Sequence, residues 1–95
     1  MTDLTADLFE SLLGKLISVT TTAGVEMWRI DSVKRREQHG LRADQPFNVY
    51  LAAPAGNDRK QGLRYGALPN GTAIDFFAVP VSANKDEVAY EVVFN

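Results

Sequence analysis

The chain offers few groups that could do covalent chemistry. Its single histidine, His39, lies between Gln38 and Gly40 in a polar stretch. A catalytic histidine needs an orienting carboxylate and a nucleophile close in space. Asp44 and the four serines are the groups on offer, and nothing in their spacing ties them to His39. The plain expectation is an exposed loop histidine. Asp75 is more unusual, a carboxylate inside Ile74-Asp75-Phe76-Phe77. Turned inward, its pKa would rise unless an arginine or backbone donors paired with it. At the start of a strand it is expected to face solvent or pair with a neighbouring arginine. Cysteine is absent, which excludes disulfides, thiolate metal sites and cysteine nucleophiles. Asp31, Asp44 and Asp58 are too scattered to propose a metal site. The expectation is therefore no catalytic, cofactor-binding or metal-binding set.

Two other groupings could bind rather than react. Lys34, Arg35 and Arg36 with Arg42, and Arg59 and Lys60 with Arg64, could form a basic surface for a partner or for phosphates. Trp28, Tyr50 and Tyr65 could surround the mouth of a ligand-binding barrel, or stack on single-stranded nucleic acid if they shared a face with those bases. A sequence pI near 5.2 argues against a dedicated nucleic-acid binder. Gly56 to Gly62 has glycines and a lysine but lacks the Gly-Lys-Ser/Thr ending and a following helix, so a phosphate loop is excluded. Asn70-Gly71-Thr72 matches a glycosylation acceptor and is read simply as a turn.

The frame that must carry these residues is small. Ninety-five residues with 45% hydrophobic content specify one domain, 1–95, with one core and little room for a deep interior site. Net charge is −2, yet residues 29–64 hold eight of the ten basic residues against four acids. Most of these charges fall in expected loops, where a solvated surface is the ordinary reading. No basic leader opens the chain and no apolar run is long enough to span a membrane, so a cytoplasmic location is expected.

Periodicity supplies the elements. Leu4–Leu13 reads as a helix, with Thr5 as N-cap, Asp7 in the first turn and Leu4 stapled to Phe9. Leu8, Phe9, Leu12 and Leu13 form its apolar stripe, and Gly14 suits a left-handed cap. A helix this short must dock on a sheet. Lys15–Thr21 and Val25–Val33 read as a hairpin broken at Ala23-Gly24. The second strand places Val25, Met27 and Val33 on one face and Trp28 and Ile30 on the other. Lys34–Pro46 reads as the longest loop. Phe47–Ala53 alternates, with Phe47, Val49, Leu51 and Ala53 facing in. Gln61–Leu68, weakened by Gly62 and Gly66, suits an exposed edge or a bulge. Pro69-Asn70-Gly71 is a turn.

The closing pair, from Thr72 onward, is the strongest signal. Val88, Tyr90, Val92 and Phe94 alternate with charged Glu87 and Glu91, the mark of a half-buried strand. Ile74–Val81 is apolar on both parities apart from Asp75, which predicts a central strand covered on both faces. Pro80 belongs at a bulge or near a strand end. One helix and six strands with short links predict a mainly β fold. The expected form is a small antiparallel six-stranded meander, barrel-like and capped by the N-terminal α-helix, with a two-layer β-sandwich as the alternative.

Several segments together resemble a family of small bacterial proteins known as a domain of unknown function. The matching positions are Leu4, Phe9, Leu12 and Gly14; Pro46, Phe47 and Leu51; Gln61, Gly62 and Tyr65; Phe77, Val79 and Pro80; and Tyr90, Glu91, Val93, Phe94 and Asn95. Tyr65 stands one place later than the family pattern. Nearly all matched residues are apolar, Gly or Pro, so the resemblance implies a fold and carries no catalytic residues. It also implies association with phage-tail-like and tail-collar proteins. The functional expectation is a non-enzymatic structural or protein-interaction module, acting as a component or assembly partner of such an apparatus, with a protein partner or self-association. Gln61–Leu68 and the 34–46 loop are the expected contact regions. The alternative is a small-ligand-binding β-barrel, and an enzyme ranks third.

Overall fold

Burial that alternates along Phe47–Leu51 and along Glu87–Phe94 produces two adjacent staves of a closed wall. The structure, a computed structural model, describes residues 4–36 and 46–94. Its elements are α1 (Ala6–Ser11), β1 (Leu16–Thr21), β2 (Gly24–Arg35), β3 (Phe47–Pro54), β4 (Gly62–Ala67), β5 (Ala73–Ala83) and β6 (Glu87–Phe94). The strands close into an antiparallel barrel in the order β1-β2-β3-β6-β5-β4. The barrel expectation therefore holds over the sandwich. The order departs from a simple meander at one place. β3 pairs with β6 rather than β4, because the 55–61 connection crosses the barrel end and delivers β4 to the seam beside β1. Strands β3 to β6 thus form a Greek-key arrangement.

Closure removes the edge expected at Gln61–Leu68. β4 is paired on both sides, Tyr65 with Thr20 of β1 and with Asp75 of β5. Gly66 makes that seam possible. A Cβ built there would lie 2.0 Å from the Ser18 carbonyl oxygen, so β1 can approach only a bare backbone. The glycine read as a weakness is a requirement of barrel closure.

The inward set is the period-two set. Ile17, Val19, Trp28, Ile30, Val49, Leu51, Phe76, Ala78, Val88, Tyr90 and Val92 are buried in one cluster. Each large apolar side chain so buried contributes about 1.5–3 kcal/mol. The expected parity of β2 changes within the strand. A register shift between Ile30 and Ser32 leaves Asp31 as the extra residue. Val33 is thereby brought opposite inward-facing Val49, onto the same side as Trp28 and Ile30 and away from Val25 and Met27. Pro80 stands at the other shift, between Pro80 and Ser82 of β5, where its missing N–H leaves no gap in the ladder.

The helix is shorter than the expected Leu4–Leu13. Thr5 caps it, its side-chain oxygen accepting from the Leu8 N–H at 3.1 Å. It ends at Ser11 because Gly14 is pulled into the sheet, donating its N–H to Ile30 O at 2.8 Å with φ of +82°. Leu13 consequently leaves the expected stripe and is exposed. Phe9 enters the barrel end, with ring centroids 5.4 Å from Phe94 and 6.0 Å from Phe47. The Phe47 and Phe94 rings stack beneath it at 4.8 Å. Between Phe9 and the strands remains about 10 Å³ of free space, apolar throughout and close to the volume one water occupies.

The Pro69-Asn70-Gly71 turn forms as expected. Gly71 donates to Leu68 O at 2.8 Å and alone takes the left-handed conformation, φ +90°. The Asn70 side chain accepts from Thr72 N–H at 2.9 Å. The glycosylation-like tripeptide is spent on this turn. At the β5–β6 corner Asn84 does comparable work, its Oδ1 accepting from the Asp86 and Glu87 N–H groups.

Candidate functional site

The barrel has two ends, and the registers assign each candidate residue to one of them. Arg35 pairs with Phe47, and Phe47 with Phe94, so Lys34–Arg36 lie at the helix end. Arg59, Lys60 and Arg64 belong to the opposite end, with the 55–61 connection and the Thr21–Gly24 hairpin. The described basic residues therefore do not form one surface. Arg35 pairs with Asp7 and Glu10 of α1, and Arg36 donates to Phe94 O at 2.6 Å. Lys34 and Arg35 are in β2, not in the expected loop. His39, Arg42, Asp44 and most of the 34–46 loop lie outside the described residues.

Arg64 is 7% exposed and points inward, where it anchors a polar cluster that closes this second end. Its Nη2 donates to Asp58 Oδ1 at 2.9 Å and to Lys60 O at 2.8 Å. Its guanidinium also sits 5.4 Å from the Trp28 ring centre and 5.6 Å from that of Tyr90. Tyr90 donates to Asn57 Oδ1, Asn57 Nδ2 donates to Glu26 Oε1 at 2.7 Å, and Trp28 Nε1 donates to the same oxygen at 2.9 Å. Hydrogen bonds from the Arg64 guanidinium and the Lys60 N–H hold Asp58 below the usual carboxylate range. Asp58, Asn57 and Glu26 each accept from a neighbour through at least one side-chain oxygen. Arg64 Nε is the one buried donor of the cluster without a partner. This arrangement fastens the 55–61 connection to the barrel.

The three aromatics of the expected ligand mouth are also separated. Trp28 is fully buried and stacked on Tyr90. Tyr50 and Tyr65 lie on the outer face, on β3 and β4, which are separated by two strands in the barrel order. Tyr50 donates to Glu91 Oε2 at 2.7 Å, a bond that raises its pKa. Among the described residues these three aromatics line no common mouth. Asp75 is exposed on the outer face opposite Tyr65, in accord with the solvent-facing reading. Among the described residues no group of three His, Cys, Asp or Glu could hold a metal, and no helix is long and apolar enough to cross a membrane.

The feature that remains is an uncovered apolar face. Ile74–Val81 was expected to be covered on both sides; its inner side is, its outer side is not. Phe77 is 53% exposed and is paired with Leu63, itself 53% exposed. Tyr65 stands next along β4, and Val81 is exposed beyond Phe77 at the β5 bulge. Ala78 faces Val92, which sets exposed Val93 beside Phe77 on the third strand. The reason lies in layer count. Six strands closing on themselves use every strand as wall, and among the described residues no second layer covers β4–β6. Sequence reasoning named Tyr65 alone of this set as a candidate site residue, with Leu63 inside the Gln61–Leu68 strand expected as a contact region. The signal for the others was the double-parity apolar run in a chain too short to supply a second layer.

A family model described as a domain of unknown function, DUF6916, matches residues 4–94. The chain belongs to this family. Comparison with curated proteins and with solved structures found no match. The family match spans every strand of the barrel and the helix that closes it. Membership agrees with the resemblance at the level of a domain of unknown function and brings no catalytic residues with it.

Proposed function

We propose that this domain is a non-enzymatic protein-interaction module that docks through the outer face of β4, β5 and β6. The observation that carries the reading is the Leu63–Phe77 pair, extended by Tyr65, Val81 and Val93, each about half exposed on adjoining strands. Isolated exposed apolar residues are ordinary, whereas a contiguous set on a rigid wall marks a contact surface. The apolar pocket between Phe9 and the strands, with only about 10 Å³ of free space, supports the same choice over a ligand-binding barrel. A closed barrel suits the role, because a docking face on paired strands is held without an edge that would recruit strands indiscriminately. The narrower version, a component or assembly partner of a phage-tail-like apparatus, draws on the family resemblance.

The test is site-specific photo-cross-linking in the native cell, with the reactive side chain at position 77 and, as a control, at exposed Thr22. A discrete adduct from position 77, absent at position 22 and lost in Leu63→Ser, is the expected result. Equal labelling from both positions, or none from position 77, would overturn the proposal.

A further inference from the structure

We infer that the occupant of this face is a second copy of the chain, packed about a two-fold axis through the Leu63–Phe77 pair. The inference rests on the docking reading above and names its partner.

The face carries its own complementary charges. On one side of the Leu63–Phe77 pair, Asp75 stands opposite Tyr65, exposed and without a hydrogen bond or ion pair to any described residue. On the other side, β4 runs back into Arg59 and Lys60, both exposed, whose side chains form no hydrogen bond or ion pair with any described residue. A two-fold axis lying between the two walls, perpendicular to the strands at Leu63–Phe77, exchanges the two sides. It sets Asp75 of each copy against Arg59 and Lys60 of the other, twice over, which is the self-complementarity an isologous interface requires. The nearest other outer-face charge, Glu91 beside Val79, is already held by Tyr50 at 2.7 Å and Asn48 at 3.3 Å.

Area agrees with the same occupant. Two aromatic and three aliphatic side chains, each about half exposed, present on the order of 500 Å² of apolar surface. With the polar rim added, this approaches the roughly 800 Å² per partner of a standard interface. A net charge of −2 offers little long-range repulsion between copies. Two such walls pack as sheet on sheet, with apolar side chains between and the ion pairs at the rim.

The experiment is sedimentation equilibrium of the full chain over a wide concentration range, with Trp28 fluorescence verifying that each variant is folded. A concentration-dependent dimer is expected. Phe77→Asp should weaken it at least about tenfold. Asp75→Lys should weaken it several-fold, and adding Arg59→Glu and Lys60→Glu to Asp75→Lys should restore it. A monomer at every concentration overturns the inference, as does a dimer indifferent to Phe77→Asp or one that the combined charge reversal fails to restore. The cross-linking test separates the two readings. A monomer whose position-77 adduct is a different protein overturns the second copy and leaves the docking face standing. A monomer with no such adduct overturns both.

Discussion

The ring of Tyr90 lies flat on that of Trp28, their centroids 4.4 Å apart and their planes inclined by 18°. Both side chains are completely buried, and both reach polar partners at the barrel end, Trp28 at Glu26 and Tyr90 at Asn57. The pair thus joins the hydrophobic core to the cluster that fastens the 55–61 connection. Arg64 covers both rings from that same connection's side. A barrel of this size holds its open end by aromatic burial and hydrogen bonding at once.

Trp28→Leu is expected to lose about 3 kcal/mol of stability, since a large buried ring is replaced by a smaller side chain. Tyr90→Phe keeps the ring and removes one donor to Asn57, so about 1 kcal/mol is expected. Urea unfolding followed by far-UV circular dichroism measures both. A Tyr90→Phe loss as large as that of Trp28→Leu would contradict this division between packing and hydrogen bonding.

Gly66 and Gly56 make a matched pair. A Cβ at Gly66 meets the Ser18 carbonyl at 2.0 Å, whereas one at Gly56 meets nothing within 4 Å. Gly66→Ala should cost about 3 kcal/mol or more by forcing β1 away from β4. Gly56→Ala should change stability by no more than about 0.5 kcal/mol. Their denaturation midpoints give the comparison directly, and equal effects would refute the account of the seam.

Asp58 gives the fold an acid-sensitive element. Its pKa is lowered in the folded state by the Arg64 hydrogen bonds and the Lys60 N–H. A depressed folded pKa means the contribution is present above the unfolded value of about 3.9 and is lost as pH falls through the folded value. Asp58→Asn should therefore be less stable than the parent at pH 7, and the gap should narrow at acid pH. Unfolding midpoints across the acid range would show it; a gap that stays constant would remove Asp58 from the acid response.

Helix α1 acts as a stopper, with Phe9 its one large buried side chain. Phe9→Ala should cost about 3–5 kcal/mol because it opens the apolar end above Phe47 and Phe94. Thr5→Ala removes only the cap to the Leu8 N–H and should cost about 1 kcal/mol. Thermal unfolding of the two variants tests the order, and a cap variant as damaging as Phe9→Ala would show that helix formation, not plugging, holds this end.

Much of the fold was legible because its signals are local. Thr5 announces a helix start, Asn70-Gly71 a turn, and the alternations at Phe47–Ala53 and Val88–Phe94 name their inward residues correctly. The misread positions depend on partners distant in sequence. Val33 changes side because of an extra residue within β2, and Gly66 is needed because Ser18 is beside it. Asp58 in its loop and Arg64 in its strand, six residues apart, give no local sign of a shared cluster, which forms only when the barrel encloses Arg64.

The sequence by itself determined which side chains would share a face, since a strand's period of two follows from its backbone geometry whatever the strand packs against. It therefore determined an interior that includes Val49, Leu51, Tyr90 and Val92. The tertiary structure alone decided which strands are neighbours and how many layers surround them. Those outcomes turn on closing β1 against β4, a contact between residues far apart in the chain that no local pattern encodes. That closure fills the inside of the barrel and leaves the outer side chains of Leu63 and Phe77 uncovered.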